Sequence, residues 1–362
     1  MVVRAKIYPG ACRRPTDSKV SGPSSQTPAD SEDCFSMGGR KDKAAMSVRI
    51  ARTLAEASRL MGRRKTVCCV GVFDGVHVGH QKLIGAAVAE ARRRRCWSLV
   101  LTFRNHPLSL LAPAYAPQLL TDTDEKVEQI TKLKPTLLAL IEFDHRIADL
   151  EPDVFVEAVL VKQIRAVSVW CGADFRFGRE GRGDLPLLRR LGRRFGISAR
   201  TIEPVRLRDR IVSSTWIRSL IEHGEVEQAA DCLGRNYVVR GQVIHGHGRG
   251  RRLGYPTANL APSPGIVLPG DGIYVVQVAA GGRLYGGMIH IGPVPTFGIA
   301  ERRLEVHLFN FKGNLRGKTV GLYFIAWLRD VKQFDSPSQL VLQMKDDEQR
   351  ARAVLQGPDD GR

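Results

Sequence analysis

The sequence has no apolar run as long as the roughly 18 residues that a membrane-spanning helix needs. Its most apolar stretches, such as TVCCVGVF and TLLALIEF, have the length of buried core segments. The first residues, MVVRAKIYPG, lack the apolar core of a secretory signal. We therefore expect a cytoplasmic protein with no membrane partner.

Cysteine is sparse and follows no ligand or disulfide spacing. There are seven cysteines, an odd number, and none forms a C-x-x-C pair. This usage indicates reduced thiols rather than a disulfide framework or a zinc site. Cys68, Cys69 and Cys171 lie in apolar runs, where cysteine acts as a small hydrophobic residue.

Acidic residues are too few to balance the basic ones: 37 Asp and Glu stand against 55 Lys and Arg, for a net charge of +18. Such an excess favours polyanionic partners: nucleic acid, an anionic surface or nucleotide substrates. A surface for single-stranded nucleic acid would interleave exposed aromatic residues with the basic ones. Aromatic residues make up only 7% and mostly fall in strand patterns. We expect small-molecule substrates and no nucleic-acid partner.

Three regions of the chain differ in pattern. Residues 1–46 are rich in Ser, Pro, Gly and charge, which predicts a disordered extension or a misassigned start. Over residues 47–230, apolar strand-like runs alternate with helical patterns, which predicts an α/β domain with a Rossmann-like parallel sheet. Over residues 231–355, short alternating runs between Gly and Pro predict a small antiparallel β-barrel, closed by a C-terminal helix.

The string GVFDGVHVGH follows a predicted strand, Val67–Phe73, and enters a helix near Gly79. Gly71 permits close backbone approach, and a helix start offers free N–H groups to a phosphate. His77 and His80 would share one helix face and could donate hydrogen bonds to phosphate oxygens. A zinc pair or a helix-capping histidine are the alternatives, although a zinc pair lacks an evident third ligand.

A second string, VSSTWIR, falls later in the same predicted domain. Ser213, Ser214 and Thr215 lie where a helix would begin, so their hydroxyls could cap the helix or bind a phosphate. Arg218 lies one turn further and could clamp phosphate oxygens. Taken alone, the string favours an ordinary cap followed by a solvated arginine.

A third string, GQVIHGHGRGRRLGYPTANL, places a row of glycines before Pro256. Glycines let backbone N–H groups approach an anion. Thr257 and Asn259 would point the same way in an extended chain, as magnesium–phosphate coordination requires. The string lacks the G-K-[ST] of a P-loop, and a glycine-rich hairpin is the alternative. The glycines are Gly246, Gly248, Gly250 and Gly254.

In RLEVHLFNF, Glu305 and His307 alternate with apolar residues. The pattern by itself favours a half-exposed strand whose polar face meets water.

Together these strings resemble the nucleotidyltransferase superfamily and, more narrowly, the bacterial bifunctional riboflavin kinases/FMN adenylyltransferases. GVFDGVHVGHQKLI is close to the opening signature of that family, GADFRFG is similar to its G-x-[DN]-F-x-F-G element, and PTAN resembles its kinase signature. TFRNHP departs from T-F-x-P-H-P at Asn105, which we expect to loosen the turn. HIGPVPTF departs from N-I-G-x-R-P-T-F at His290 and Val294, which bears on flavin affinity. The resemblance runs from about residue 66 to about residue 350.

The resemblance implies two ATP-driven reactions with Mg²⁺: phosphorylation of riboflavin to FMN, then adenylyl transfer from ATP to FMN, giving FAD and pyrophosphate. It assigns catalysis to His77, His80 and Arg218 in the second reaction, and to Glu305 as the general base of the first. The implied binding residues of the adenylyltransferase site are Gly71, Phe73, Asp74, Asp174, Ser213, Ser214 and Thr215. Those of the kinase site are Gly246, Gly250, Gly254, Pro256 and Arg329, with Thr257 and Asn259 at the metal; for Arg329 the alternative is a surface arginine at a helix start.

Two other hypotheses compete with this one. One half of the chain could have decayed, leaving only the kinase or only the adenylylation step. Alternatively, the basic chain could keep the fold as a nucleic-acid or ribosome-associated scaffold. The candidate groups present in both halves argue against each. The sequence leaves open whether the chain forms a homo-oligomer.

Overall fold

The computed structural model describes residues 48–245, 250, 253–294 and 299–357. These residues fall within one unit that begins at Met46. The predicted extension over residues 1–46 lies outside the described residues.

The N-terminal part is a six-stranded parallel sheet, as predicted. Its central strands are buried along their whole length because helices cover both faces. The strands are β1 (Arg49–Ala51), β2 (Thr66–Val70), β3 (Trp97–Phe103), β4 (Leu137–Ile141), β5 (Ala166–Trp170) and β6 (Ser198–Arg200), and their order in the sheet is β1-β4-β3-β2-β5-β6.

The connections between these strands are mostly helical. A π-helical segment, Phe155–Gln163, continues the last short helix before β5. The helices are α1 (Leu54–Met61), α2 (Val78–Arg93), α3 (Pro107–Leu111), α4 (Thr123–Lys132), α5 (His145–Ala148), α6 (Pro152–Val154) and α7 (Leu185–Phe195), with 3₁₀ turns at Asp74–Val76, Pro113–Tyr115 and Arg179–Gly181.

The strand predicted over Val67–Phe73 is shorter than expected, since β2 ends at Val70. Phe73 takes a left-handed conformation with φ 50° and ψ 36°, which ends the extended chain. The turn from β2 into α2 therefore occupies the residues between Gly71 and His77.

A short hairpin and two helices link the sheet to the second part. They are β7 (Arg206–Leu207), β8 (Arg210–Ile211), α8 (Ser214–Glu222) and α9 (Val226–Leu233). Ile217, Leu220 and Leu233 on these helices belong to the same buried apolar cluster as the interior of the second part. The link is therefore packed into the second part rather than exposed between the two.

The second part is a closed six-stranded antiparallel barrel followed by a helix, which confirms the predicted architecture. Five strands match the alternating runs in the sequence. The sixth is short and contains a proline, so its pattern was not recognised as a strand. The strands are β9 (Tyr237–Ile244), β10 (Ala258–Pro262), β11 (Gly272–Ala280), β12 (Arg283–Val294), β13 (Ile299–Leu308) and β14 (Thr319–Arg329), in the order β10-β13-β12-β11-β14-β9, and the final helix is α10 (Pro337–Gln356).

Within the described ranges, no helix is both long and apolar enough to cross a membrane. The described cysteines are all free, as expected from their number and spacing. Cys68, Cys69 and Cys171 are buried core residues, which confirms their predicted role as small hydrophobic side chains.

Candidate active site

A cavity of about 970 Å³ opens at the carboxyl ends of β2, β3, β4 and β5. Parallel sheets bind ligands at this edge, where the strand order changes direction. The cavity brings together strings that lie far apart in the sequence. It is lined by Gly71, Phe73, Asp74 and His80 after β2, by Phe103 at the end of β3 and His106 after it, by Phe143 after β4, by Asp174 after β5, and by Ser214, Thr215 and Arg218 of α8.

The two histidines stack on each other at the start of α2. Their ring centroids are 3.6 Å apart, and His77 Nδ1 accepts a hydrogen bond of 3.3 Å from the His80 backbone N–H. His77 therefore does cap the helix, which was one of the alternatives. The cap does not exclude phosphate binding, because it uses only one of the two ring nitrogens.

Both imidazoles are neutral at neutral pH. Burial lowers the pKa of His77 to about 4, although the carboxylates of Asp74 and Asp174 act in the opposite direction. Burial lowers the pKa of His80 well below its usual range, and the charges of His77 and Lys126 add to this effect. His80 Nδ1 is buried and has no hydrogen-bond partner among the described residues. A buried nitrogen of this kind is available to a ligand in the cavity.

Asp74 holds the cavity wall together rather than pointing freely into it. Its carboxylate is 2% exposed and accepts hydrogen bonds from the backbone N–H groups of Leu120 (3.0 Å) and Thr121 (3.2 Å). It also pairs with Arg218 at 2.8 Å. These contacts favour a role in orienting Arg218, and direct contact of Asp74 with ATP or flavin stays a prediction.

The two serine hydroxyls at the start of α8 have different partners: one caps the helix and the other binds the turn after β2. Ser213 Oγ caps the helix by accepting the Trp216 N–H at 3.2 Å, and Ser214 Oγ donates to the Asp74 carbonyl at 3.0 Å. Arg218 Nε donates to the Gln118 carbonyl at 2.6 Å. The arginine is thus not solvated, and its side chain is fixed before any ligand arrives.

Asn105, where the family pattern has proline, does not loosen its turn. Its side chain donates to the Phe143 carbonyl at 2.9 Å and accepts from the Phe143 N–H at 2.8 Å. The residue therefore fastens the loop after β3 to the loop after β4. The expectation of a looser turn is wrong because the amide replaces the rigidity of proline with two hydrogen bonds.

Several residues that line the cavity or contact its lining were not predicted from the sequence. Lys126 is buried on α4 and donates to the Phe103 carbonyl at 3.0 Å, and burial lowers its pKa. Leu108, Leu111 and Tyr115 form an exposed apolar rim at the cavity mouth. Lys126 lies in a helical pattern that looks like a solvated face, so nothing in its spacing marked it. The rim follows TFRNHP directly, and its exposed tyrosine is a signal that could have been weighed.

Several predicted kinase residues lie in one row across neighbouring strands of the barrel, because each residue in the row is paired directly with the next. Glu305 on β13 pairs with Asn259 on β10 and with His290 on β12, and the row continues through Ile273 on β11 to Arg329 on β14. Directly paired residues of antiparallel strands project from the same face. Because the neighbours Leu304 and Val306 are buried in the barrel interior, this row lies on the outer face.

The glycine-rich string runs close to Thr257. A Cβ atom on Gly250 would collide with the Tyr255 carbonyl and lie 3.0 Å from the Thr257 hydroxyl, so only glycine fits there. Gly254 has a φ of 83°, which also favours glycine. The Pro256 carbonyl accepts a hydrogen bond of 2.9 Å from His307 Nδ1. Gly246, Gly248 and the side chain of Val294 lie outside the described residues.

Arg329 lies at the end of β14 and is buried. Its guanidinium pairs with Asp347 of α10 through Nε at 2.9 Å and Nη2 at 2.7 Å. The alternative of a surface arginine at a helix start is therefore wrong. The ion pair instead fastens α10 across one end of the row that contains Glu305.

A Rossmann-like domain with an H-x-G-H helix start, joined to a six-stranded barrel, defines a two-domain nucleotide-dependent transferase. The sequence profile described as FAD synthetase matches residues 61–216, and that described as riboflavin kinase matches residues 233–355. The chain is 33% identical over 294 residues to the bifunctional riboflavin kinase/FMN adenylyltransferase of Bacillus subtilis, covering 79% of this chain and 92% of that one. It is also 33% identical over 287 residues to the Escherichia coli protein of the same name, with 79% and 91% covered.

The chain therefore belongs to the bifunctional riboflavin kinase/FMN adenylyltransferase family. A crystal structure described as a macrolide-efflux protein from Streptococcus pneumoniae is also similar. It shares 33% identity with a TM-score of 0.74, and covers 84% of this chain and 99% of that one.

Proposed function

We propose that the chain carries out both reactions of its family and that each part performs one of them. The barrel phosphorylates riboflavin to FMN, and the cavity of the α/β part transfers AMP from ATP to FMN, releasing pyrophosphate. The observation that supports this division is that the candidate groups for the two reactions lie at two separate places, the cavity at the edge of the parallel sheet and the outer face of the barrel. His80, which stacks on His77, lines the cavity together with Arg218, whereas Glu305 and Asn259 are neighbours on the barrel.

In the proposed adenylylation, the FMN phosphate is itself the nucleophile, so no covalent enzyme intermediate is needed. Catalysis then consists of positioning and charge stabilisation. Neutral His77 and His80 donate N–H groups to the ATP phosphates at the positive end of α2. Arg218, already fixed by Asp74, stabilises the pyrophosphate that leaves. The apolar rim of Leu108, Leu111 and Tyr115 offers a surface for the flat flavin ring.

In the proposed kinase reaction, Glu305 accepts the proton of the ribityl hydroxyl. The hydroxyl of Thr257 and the amide oxygen of Asn259 would hold Mg²⁺, together with ATP oxygens. These are the hard oxygen donors that magnesium prefers. The glycine-rich string comes close to the Thr257 hydroxyl at Gly250. Bound magnesium would neutralise charge on the phosphates during transfer.

The cellular setting follows from these substrates. ATP and riboflavin are taken as small molecules, FMN passes from one step to the next, and FAD is the final product. We propose a cytoplasmic enzyme that acts without a nucleic-acid or membrane partner, and its oligomeric state is left open.

The direct test is to incubate the purified protein with riboflavin, ATP and Mg²⁺ under reducing conditions and to separate the flavins by chromatography. We expect FMN to appear first and FAD to follow, with one ADP released for each FMN formed and one pyrophosphate for each FAD. Omission of Mg²⁺ should stop both steps. If neither flavin product forms with magnesium present, the proposed function is wrong.

A further inference from the structure

The segment 118–121, called the strap below, connects the adenylylation cavity to the barrel. It lies between α3 and α4 of the α/β part, yet Leu119 forms a parallel bridge with Ile266 of the barrel part. Leu119 N–H donates to the Gly265 carbonyl at 2.7 Å, and the Leu119 carbonyl accepts from the Val267 N–H at 3.0 Å. The strap is therefore fixed to the barrel part through its backbone.

The other side of the strap forms part of the adenylylation site. The Gln118 carbonyl accepts a hydrogen bond from Arg218 Nε at 2.6 Å. Leu120 and Thr121 donate backbone N–H groups to Asp74, which pairs with Arg218 in turn. Within four consecutive residues, Gln118 binds Arg218, Leu119 binds the barrel part, and Leu120 and Thr121 bind the carboxylate that pairs with Arg218.

Thr121 makes the most specific contact of the strap. Its hydroxyl donates to Asp74 Oδ1 at 3.3 Å and accepts from the Gly75 N–H at 3.2 Å. The side chain is 3% exposed, so these groups have no water to replace the hydroxyl. Asp74 and Gly75 both belong to the turn that leads into His77, and the Thr121 hydroxyl thus joins this turn to the strap.

Apolar packing strengthens the same connection. Leu120 is 1% exposed and belongs to the cluster that fills the barrel interior. Ile217 and Ile221 on α8, the helix that carries Arg218, belong to the same cluster. A buried Tyr237 hydroxyl on β9 donates to the Val267 carbonyl at 2.6 Å, which holds the barrel side of the bridge in place.

We propose that the barrel part positions Arg218 for adenylyl transfer through this strap, with Thr121 as its positioning residue. This inference rests on the proposed function of the cavity. The kinase part then has a second role: it forms the support that keeps the adenylylation site in its active geometry. Thr121 and Gly265 act through Asp74 and Arg218 and do not touch substrate.

The first experiment measures both steps for Thr121→Val and Thr121→Ser in the full chain. Valine keeps the shape but removes the hydroxyl, so we expect kcat for FAD formation from FMN and ATP to fall about tenfold or more. Riboflavin phosphorylation should be unchanged, which also reports that the chain is folded. Serine restores the hydroxyl and should recover most of the rate. Wild-type FAD formation by Thr121→Val would overturn the proposal.

The second experiment disturbs the barrel end of the strap. Gly265 has a φ of 74° with open space around it, so Gly265→Ala strains the backbone at the carbonyl that accepts from Leu119 without any steric clash. Gly282 has a φ of 77°, also with open space, in the turn between β11 and β12. Gly265→Ala should slow FAD formation, whereas Gly282→Ala should leave both steps unchanged. Equal effects of the two substitutions would overturn the link to the barrel.

A double-variant comparison separates positioning from loss of structure. If Thr121 acts through Arg218, then Thr121→Val should slow FAD formation less than about twofold further in an Arg218→Lys background. If the double variant is instead slowed by the product of the factors measured for Thr121→Val and Arg218→Lys alone, the two residues act independently and the strap mechanism is contradicted.

If the unmodified chain converts FMN to FAD but Thr121→Val does so equally well, only this inference fails. If the unmodified chain makes no FAD at all, the proposed function itself fails.

Discussion

The two proposed sites are assembled in different ways. The adenylylation cavity draws on short strings at strand ends and at the start of α8, and each string holds its functional residues close together in the sequence. The kinase row draws one residue from each of several strands, and only the closure of the barrel brings Asn259, Glu305 and Arg329 into line. The residues of the first site can therefore be recognised from short sequence motifs. The second site depends on how strands that are far apart in the sequence pair in the barrel.

The two sites also differ in how their charges are fixed. In the cavity, Arg218 is held by Asp74 and by backbone groups of the strap. On the barrel, Arg329 is held by a carboxylate of the last helix, Asp347. Loss of a partner should therefore affect the adenylylation site through its strap, and the kinase site through its C-terminal helix.

The largest expected effect on stability comes from breaking the ion pair between Arg329 and Asp347. Asp347→Asn leaves the buried Arg329 charge without its partner, so we expect a loss of about 3–5 kcal/mol in the free energy of unfolding. Urea unfolding measures it. The adjacent Asp346 is exposed and lies 4.0 Å from Arg350, so Asp346→Asn should change stability by less than about 0.5 kcal/mol.

The same pair of variants sharpens the comparison of the two sites. In Asp347→Asn, the KM for riboflavin should rise, while conversion of supplied FMN to FAD should continue. If Asp346→Asn and Asp347→Asn behave alike, the buried ion pair is not what holds α10 on the barrel.

An intermediate effect concerns the contribution of His77 to the pH dependence of stability. The folded state holds the pKa of His77 at about 4, below its usual value of 6.5. Between these values the unfolded chain binds more protons, so stability falls as pH decreases from 6.5 towards 4. For His77 this loss is about 2 kcal/mol at pH 5.

The check is urea unfolding at pH 7 and pH 5 for the unmodified chain and for His77→Asn. Asparagine keeps a cap at the start of α2 but does not titrate in this range. The variant should lose less stability between the two pH values. An identical pH dependence would show that His77 is not buried as a neutral group.

The smallest effect concerns the bridge between the loops after β3 and β4. Asn105→Ala removes two hydrogen bonds to the Phe143 backbone, and we expect a loss of about 1 kcal/mol in the free energy of unfolding. FAD formation should slow slightly, with riboflavin phosphorylation unchanged. Stabilisation by this substitution would mean that the departure from the family proline carries a cost rather than replacing its rigidity.

The fold could be predicted from the sequence because its two patterns are strong. Buried strands alternating with helices indicate a parallel sheet, and Gly-rich alternating runs indicate a barrel. The strand β10 was not predicted because it is short and contains a proline. The early end of β2 was missed because no pattern marks the left-handed conformation of Phe73.

The candidate site residues could be predicted only where a sequence motif falls at the start of a helix. The string that contains His77 and His80 predicted that both lie at the start of α2. The contacts of Asp74 with Leu120 and Thr121 were not predictable, because they join segments more than forty residues apart through backbone groups. Lys126 was missed for a similar reason, since its burial depends on the packing of α4 against the end of β3.

The most direct test of the account compares His80→Ala with Glu305→Ala, each supplied in turn with riboflavin and with FMN in the presence of ATP and Mg²⁺. His80→Ala should form FMN and stop there, with FAD formation lowered at least about a hundredfold. Glu305→Ala should fail to phosphorylate riboflavin, by about a hundredfold or more, yet convert supplied FMN to FAD. If either variant stays folded and loses both activities, or keeps both, the assignment of one reaction to each part of the chain is wrong.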